Sequence, residues 1–167
     1  MNKKRFSVLL LALALVFALA ACGGNKDKEP VKVDLAAFAQ TLTEKYEISG
    51  FLERMDPEDA DMGATMIDNT FPGLREMDLE QMEIYLCMVS FNTGEFSLVE
   101  AKNADDAKAV ADLFQTRIDS MTEEGMNYPD TIENWQNNAK IVTNGNYVML
   151  VCSADSAAIV DDFNALF

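Results

Sequence analysis

The hydrophobic pattern begins with one uncharged run, Phe6 to Ala21, rich in Leu, Ala and Val. After a polar gap, Leu35, Phe38, Leu42 and Tyr46 recur at the spacing of one helix face, and Asp34 stands where an N-cap belongs. A helix is therefore predicted from Asp34 to about Tyr46. Ile48, Phe51, Leu52 and Met55 continue that helix or form a short second piece after Gly50. Residues 56–80, interrupted at Asp56-Pro57 and at Phe71-Pro72-Gly73, read as loop with a short helical turn. From Met82 the chain turns densely apolar, and two strand-like segments, 82–91 and 95–101, flank Asn92-Thr93-Gly94 as a hairpin. Asn103 then caps a helix with Ala107, Val110, Phe114, Ile118 and Met121 on one face, ending near Gly125. Tyr128-Pro129 opens a crossing segment. Lys140–Thr143, a turn at Asn144-Gly145 and Asn146–Cys152 form a second hairpin, Ser153 caps, and a last helix carries Ile159, Val160, Phe163 and Phe167.

The second half repeats the plan of the first. Gly94, Phe96 and Leu98 correspond to Gly145, Tyr147 and Met149, and in the helices Ala104, Asp105, Ala107, Val110 and Asp112 correspond to Ala154, Asp155, Ala157, Val160 and Asp162. Each copy is a hairpin followed by a helix. The expected fold is α+β: two ββα units forming a four-stranded antiparallel sheet with helices on one face, plus the N-terminal helix.

Charge and small residues change the picture at the N-terminus. Lys3, Lys4 and Arg5 precede the apolar run, which is shorter than the roughly 20 residues of a membrane-spanning helix and ends in Leu19-Ala20-Ala21-Cys22-Gly23. This is the lipobox pattern of a bacterial lipoprotein signal peptide, residues 1–21, cut between Ala21 and Cys22. Small side chains admit the backbone to a membrane peptidase, and the Cys22 thiol is the nucleophile that can carry a thioether-linked diacylglycerol. Several acyl chains anchor far more firmly than one, so the expected location is the extracytoplasmic face of the cell membrane, with membrane lipid as the first partner. Residues 22–33, polar and charged, read as a disordered tether. Residues 34–80 are read as the N-terminal helix and loop and 81–167 as the repeated ββα part, together one globular domain over 34–167.

Loss of Lys3, Lys4 and Arg5 moves the formal net charge from −15 to −18. Such acidity speaks against a nucleic-acid partner and against broad contact with anionic lipid.

Catalytic chemistry finds little to stand on. The chain has no histidine, hence neither the commonest general base nor the commonest metal ligand. Asp56, Glu58, Asp59 and Asp61 ahead of Gly63 resemble a calcium loop in composition, but Pro57 interrupts the run and Asn69 stands where an EF-hand needs its glutamate. No Gly-x-Ser-x-Gly and no Ser-x-x-Lys occurs, and 28 acidic residues give no basis for selecting a glycosidase pair. No cofactor is expected, and the chain is not expected to be an enzyme. By strand alternation Cys87 points with Phe91, Phe96 and Leu98, and Cys152 with Ile141, Val148 and Leu150. These are opposite faces of the sheet, so two buried thiols rather than a disulfide are expected. Tyr128 and Trp135 are the candidate ligand surface, an aromatic platform for a sugar or peptide, set against the plainer role of sealing the crossover over the sheet.

The hairpin Asn144-Gly145-Asn146-Tyr147-Val148, its Ser153-Ala154-Asp155 cap, the preceding Tyr128-Pro129 and the helix with Arg117-Ile118-Asp119 together resemble the bacterial lipoprotein family of domain of unknown function 4358. The resemblance spans roughly residues 80–167 plus the lipobox. It implies an unassigned extracytoplasmic role and brings no catalytic or ligand residues. The functional expectation is a non-catalytic binding or protein-interaction module with an envelope protein as partner. A soluble-ligand receptor or accessory subunit of a transporter or sensor is the alternative, and a hydrolase the weaker one.

Overall fold

A computed structural model describes residues 32–89 and 94–167; the signal segment, Ala21, Cys22, most of the tether and Phe91 lie outside the described residues. Val33–Phe167 forms one compact unit.

Asp34 caps the first helix, α1 (Leu35–Lys45), by accepting a hydrogen bond from the Ala37 amide. Strand β1 (Leu52–Met55) follows, then helix α2 (Gly63–Thr70), a 3₁₀ turn at Leu74–Glu76, and β2 (Leu79–Cys87). Next come β3 (Glu95–Ala101), α3 (Ala104–Thr122), α4 (Pro129–Asn138), β4 (Ala139–Asn144), β5 (Tyr147–Cys152) and α5 (Ser156–Asn164). The Asn103 side chain accepts from the amides of Asp105 and Asp106 to start α3. Pro129 occupies the first turn of α4, where an amide would lack a partner anyway.

All strands pair antiparallel in the order β1-β2-β3-β5-β4. The α+β class therefore holds, with two corrections. The sheet has five strands rather than four, because Leu52–Met55 pairs with Ile84–Cys87 instead of prolonging α1. Helices cover both faces rather than one. On one face α2, α3 and α4 pack Ile67, Val110, Phe114 and Trp135 onto Ile84, Leu86, Val99, Val148 and Leu150. On the other, α1 and α5 pack Leu35, Phe38, Leu42, Ile159 and Phe163 onto Phe96, Leu98, Met149 and Val151.

The repeat survives in the sheet and fails in the helices. Hairpin equivalents are 51 residues apart, and Phe96, Leu98, Tyr147 and Met149 all share one face, as the repeat requires. The helical identities are 50 apart, whereas the buried stripes, Ala107-Val110-Phe114 and Ser156-Ile159-Phe163, are 49 apart. Thus Val110 is core while Val160, its match by identity, is half-buried. Two residues join β3 to α3, and three join β5 to α5. The longer joint, held by Ser156 Oγ donating to the Ser153 carbonyl and accepting from its amide, leads α5 onto the opposite face.

The second hairpin turns one residue later than its sequence suggests. Asn144 pairs with Tyr147, so Gly145-Asn146 is the turn, with Gly145 at φ +58°. Alternation is preserved, so Cys87 and Cys152 do lie on opposite faces and do not bond each other; Cys87 is half-buried rather than buried.

Candidate functional site

The chain enters the domain at one end of the sheet. There Val33 donates to the Tyr147 hydroxyl, and the Gln81 amide accepts from Leu35 while donating to the Val33 carbonyl and to Glu100. Tyr147 in turn donates to Glu100 at 2.7 Å. Burial, then this bond, pushes the Tyr147 phenol up. The far end of the sheet gathers the start of β1, the ends of β2 and β5 and the starts of β3 and β4, and α3 reaches it through Arg117 on Glu95.

At that far end lies the most polar part of the interior. Glu95, 1% exposed, accepts a forked pair of hydrogen bonds from Arg117, Nε to Oε1 at 3.0 Å and Nη2 to Oε2 at 2.8 Å. The Arg117 guanidinium also lies 5.4 Å from the Trp135 ring centroid, over its face. Cys152 stands opposite Glu95 across the β3–β5 ladder, with the Asn134 amide 3.5 Å from its sulfur. Burial, reinforced by the Glu95 charge, pushes the Cys152 thiol up to about 12. A thiol so placed stays protonated and is no nucleophile. Ser97, two residues along the same face, keeps a buried hydroxyl with no hydrogen-bond partner among the described residues.

Glu95 has no role in the sequence reading, and Arg117 enters it only through the family resemblance of Arg117-Ile118-Asp119. Glu95 follows Thr93-Gly94 and reads as a turn residue. Arg117 sits three residues after Phe114 and four before Met121, on the buried stripe of α3, and a cation on an apolar stripe is the signal that would have found the pair.

The two aromatics proposed as a ligand surface are separated by burial. Trp135 is 1% exposed and belongs to the core under α3 and α4, while Tyr128 is 62% exposed in front of α4. Trp135 therefore seals the sheet and offers no platform. The acidic run is also turned to structural use: Asp59 accepts from the amides of Asp61, Met62 and Gly63 at the start of α2, and Asp56 accepts from Glu58. Among the described residues no three acidic or cysteine side chains gather as a cation site.

Large apolar side chains are exposed at Phe51, Met62, Met126, Tyr128 and Phe167. Phe51 precedes β1, and Met126 and Tyr128 lie between α3 and α4. Glu44, Glu47, Glu123 and Glu124, near them in sequence, are exposed as well. Beside Phe51 an open cleft of about 490 Å³ is lined by the segment from Thr43 to Ser49 and by Leu52. Its wall is fixed to α5 where Lys45 Nζ, at 2.6 Å, and the Tyr46 hydroxyl, at 2.7 Å, both donate to Asp162. These bonds, that to Lys45 foremost, hold the Asp162 carboxyl below the usual carboxylate range.

The family described as Domain of unknown function (DUF4358) matches residues 55–153. The match runs from the end of β1 through β5 and includes residues 56–80, which the sequence resemblance had left out; it excludes α1 and α5, the helices of the second face. No curated protein and no solved structure gives a significant match.

Proposed function

The chain belongs to the family of domain of unknown function 4358, and from that premise we propose a lipid-anchored envelope protein whose domain is a non-catalytic interaction module. One observation carries the proposal: the ionisable groups that the fold brings together serve the fold, while the exposed large side chains do not. Glu95 is paired with Arg117, the Cys152 thiol is held protonated, and Asp59 accepts from the Gly63 amide at the start of α2. Phe51, just before the start of β1, and Met126 and Tyr128, between α3 and α4, meanwhile stand exposed to water. Exposed apolar side chains rimmed by charge suit a protein partner. The acidity of the chain, with Glu44, Glu47, Glu123 and Glu124 exposed, suits a partner with basic surface.

The anchor is argued from Leu19-Ala20-Ala21-Cys22-Gly23, and it places the domain at the extracytoplasmic face of the membrane, tethered by lipid on Cys22. Mass spectrometry of the chain from membranes is expected to find Cys22 as the N-terminal residue carrying diacylglycerol. A chain retaining Met1–Ala21, or an unmodified Cys22, refutes the anchor. For the module, a photo-crosslinker at Tyr128 or Phe51 is expected to give one discrete adduct in intact cells, and one at exposed Lys108 none. Equal labelling from all three positions refutes that surface.

The cleft beside Phe51 favours a second reading, a receptor or accessory subunit for a small soluble ligand. Its volume falls in the range of small-molecule sites. Saturable binding of a small ligand that Leu52→Trp abolishes would favour it over the interaction module.

A further inference from the structure

The two edges of the sheet are built differently. β1, at one edge, is only four residues long and carries Glu53 and Arg54. Short edges resist pairing with another chain. β4, at the other edge, has six residues, Ala139-Lys140-Ile141-Val142-Thr143-Asn144, and among the described residues it pairs only with β5. Ile141 and Val142 are half-buried, one toward each face, whereas all six residues of β5 are buried. Main-chain donors and acceptors on the outer side of β4 and apolar side chains on both of its faces thus reach the surface together.

Charge singles out the same place. Lys140 is the sole charged residue between Glu133 and Asp155, the longest acid-free stretch of Val33–Phe167 in a chain of net charge −15. Six of the seven lysines and arginines of Val33–Phe167 form ion pairs with carboxylates. Lys140 is the seventh, and among the described residues its Nζ meets only the Asn137 carbonyl.

We propose that β4 is a self-association edge, where a second copy of this chain adds its own β4 antiparallel and joins two five-stranded sheets into one. A second copy is the occupant that the sequence of β4 fits. Joining the sheets about a two-fold axis requires residues of like parity to face each other. Centred on Val142, the pairing sets Ile141 opposite Thr143 and Lys140 opposite Asn144, with no like charges directly across. Elsewhere two copies so acidic repel each other. At this edge they approach without meeting carboxylates, and each Lys140 gains the field of an acidic neighbour.

Sedimentation equilibrium of the full chain in detergent tests the proposal. A reversible dimer is expected, and it strengthens as salt rises, because salt screens repulsion between the acidic bodies more than it weakens main-chain pairing. Val142→Lys sets two cations against each other in the pair, and Thr143→Lys adds a charge at an exposed position that the monomer tolerates; each is expected to weaken the dimer at least tenfold. Glu53→Gln at the opposite edge should leave it unchanged. A monomer at every concentration overturns the proposal, as does a dimer indifferent to both lysine substitutions. Protection of β4 by residues 1–32 of the same chain, or by an extended peptide from another protein, overturns the choice of occupant.

Discussion

Glu95 and Arg117 form the costliest arrangement in the interior, since each would be strongly disfavoured there without the other. Glu95→Ala leaves a largely buried guanidinium unpaired and is expected to destabilise the fold by about 3–5 kcal/mol in urea denaturation. Replacing both, Glu95→Leu with Arg117→Met, should restore most of that loss. A double replacement as damaging as the single one would mean that Arg117 matters for its packing on Trp135 rather than for its charge. Cys152 gives a pH signature. Its folded thiol titrates at about 12, against an ordinary value near 8.5. The folded state therefore keeps a proton that the unfolded chain releases, and stability falls as pH rises through that window, by up to about 1.4 kcal/mol per unit. Tyr46, Tyr85 and Tyr147 also have raised values, so the informative quantity is the difference between wild type and Cys152→Ala at about pH 8 and about pH 11. An unchanged difference would show that the thiol ionises in place.

Two glycines decide how elements meet. A Cβ on Gly94 would lie 2.0 Å from the Ile48 carbonyl oxygen, and one on Gly63 equally close to that of Asp56. Alanine at either position forces backbone apart and is expected to lower stability by about 1–3 kcal/mol. Gly50, with nothing within 4 Å of its Cβ position, should accept alanine with little change or a gain of about 0.4–1 kcal/mol. Equal losses at Gly50 and Gly94 would contradict the close approach. Asn103→Ala should cost about 1 kcal/mol through the lost cap of α3.

Elements with a local signature were legible in the sequence: the caps Asp34 and Asn103, the apolar stripes of α1 and α3, and the second hairpin. The layering was present but misread. Tyr147-Val148-Met149-Leu150-Val151-Cys152 is apolar at every position, and a strand without alternation is covered on both faces. Leu52–Met55 carried no such signal, because a four-residue strand is stabilised by its neighbour β2 rather than by its own pattern.

At the scale of the molecule the domain has two distinct ends. One receives the chain through Val33, Gln81, Glu100 and Tyr147; the other holds the buried Glu95–Arg117 pair and the start of β1 beside the exposed Phe51. In the proposed function, a lipid on Cys22 would supply location and the exposed side chains at Phe51 and Tyr128 would supply contact. The polar cluster around Glu95 was hidden from sequence because its partners are 22 residues apart and meet only when α3 folds back over β3. The most direct test of the whole account is crosslinking from Tyr128 in living cells, comparing the intact chain with Cys22→Ala. One discrete protein adduct is expected, and it disappears when the anchor is lost. No adduct from the anchored chain, or the same adduct at the same yield without Cys22, would contradict it.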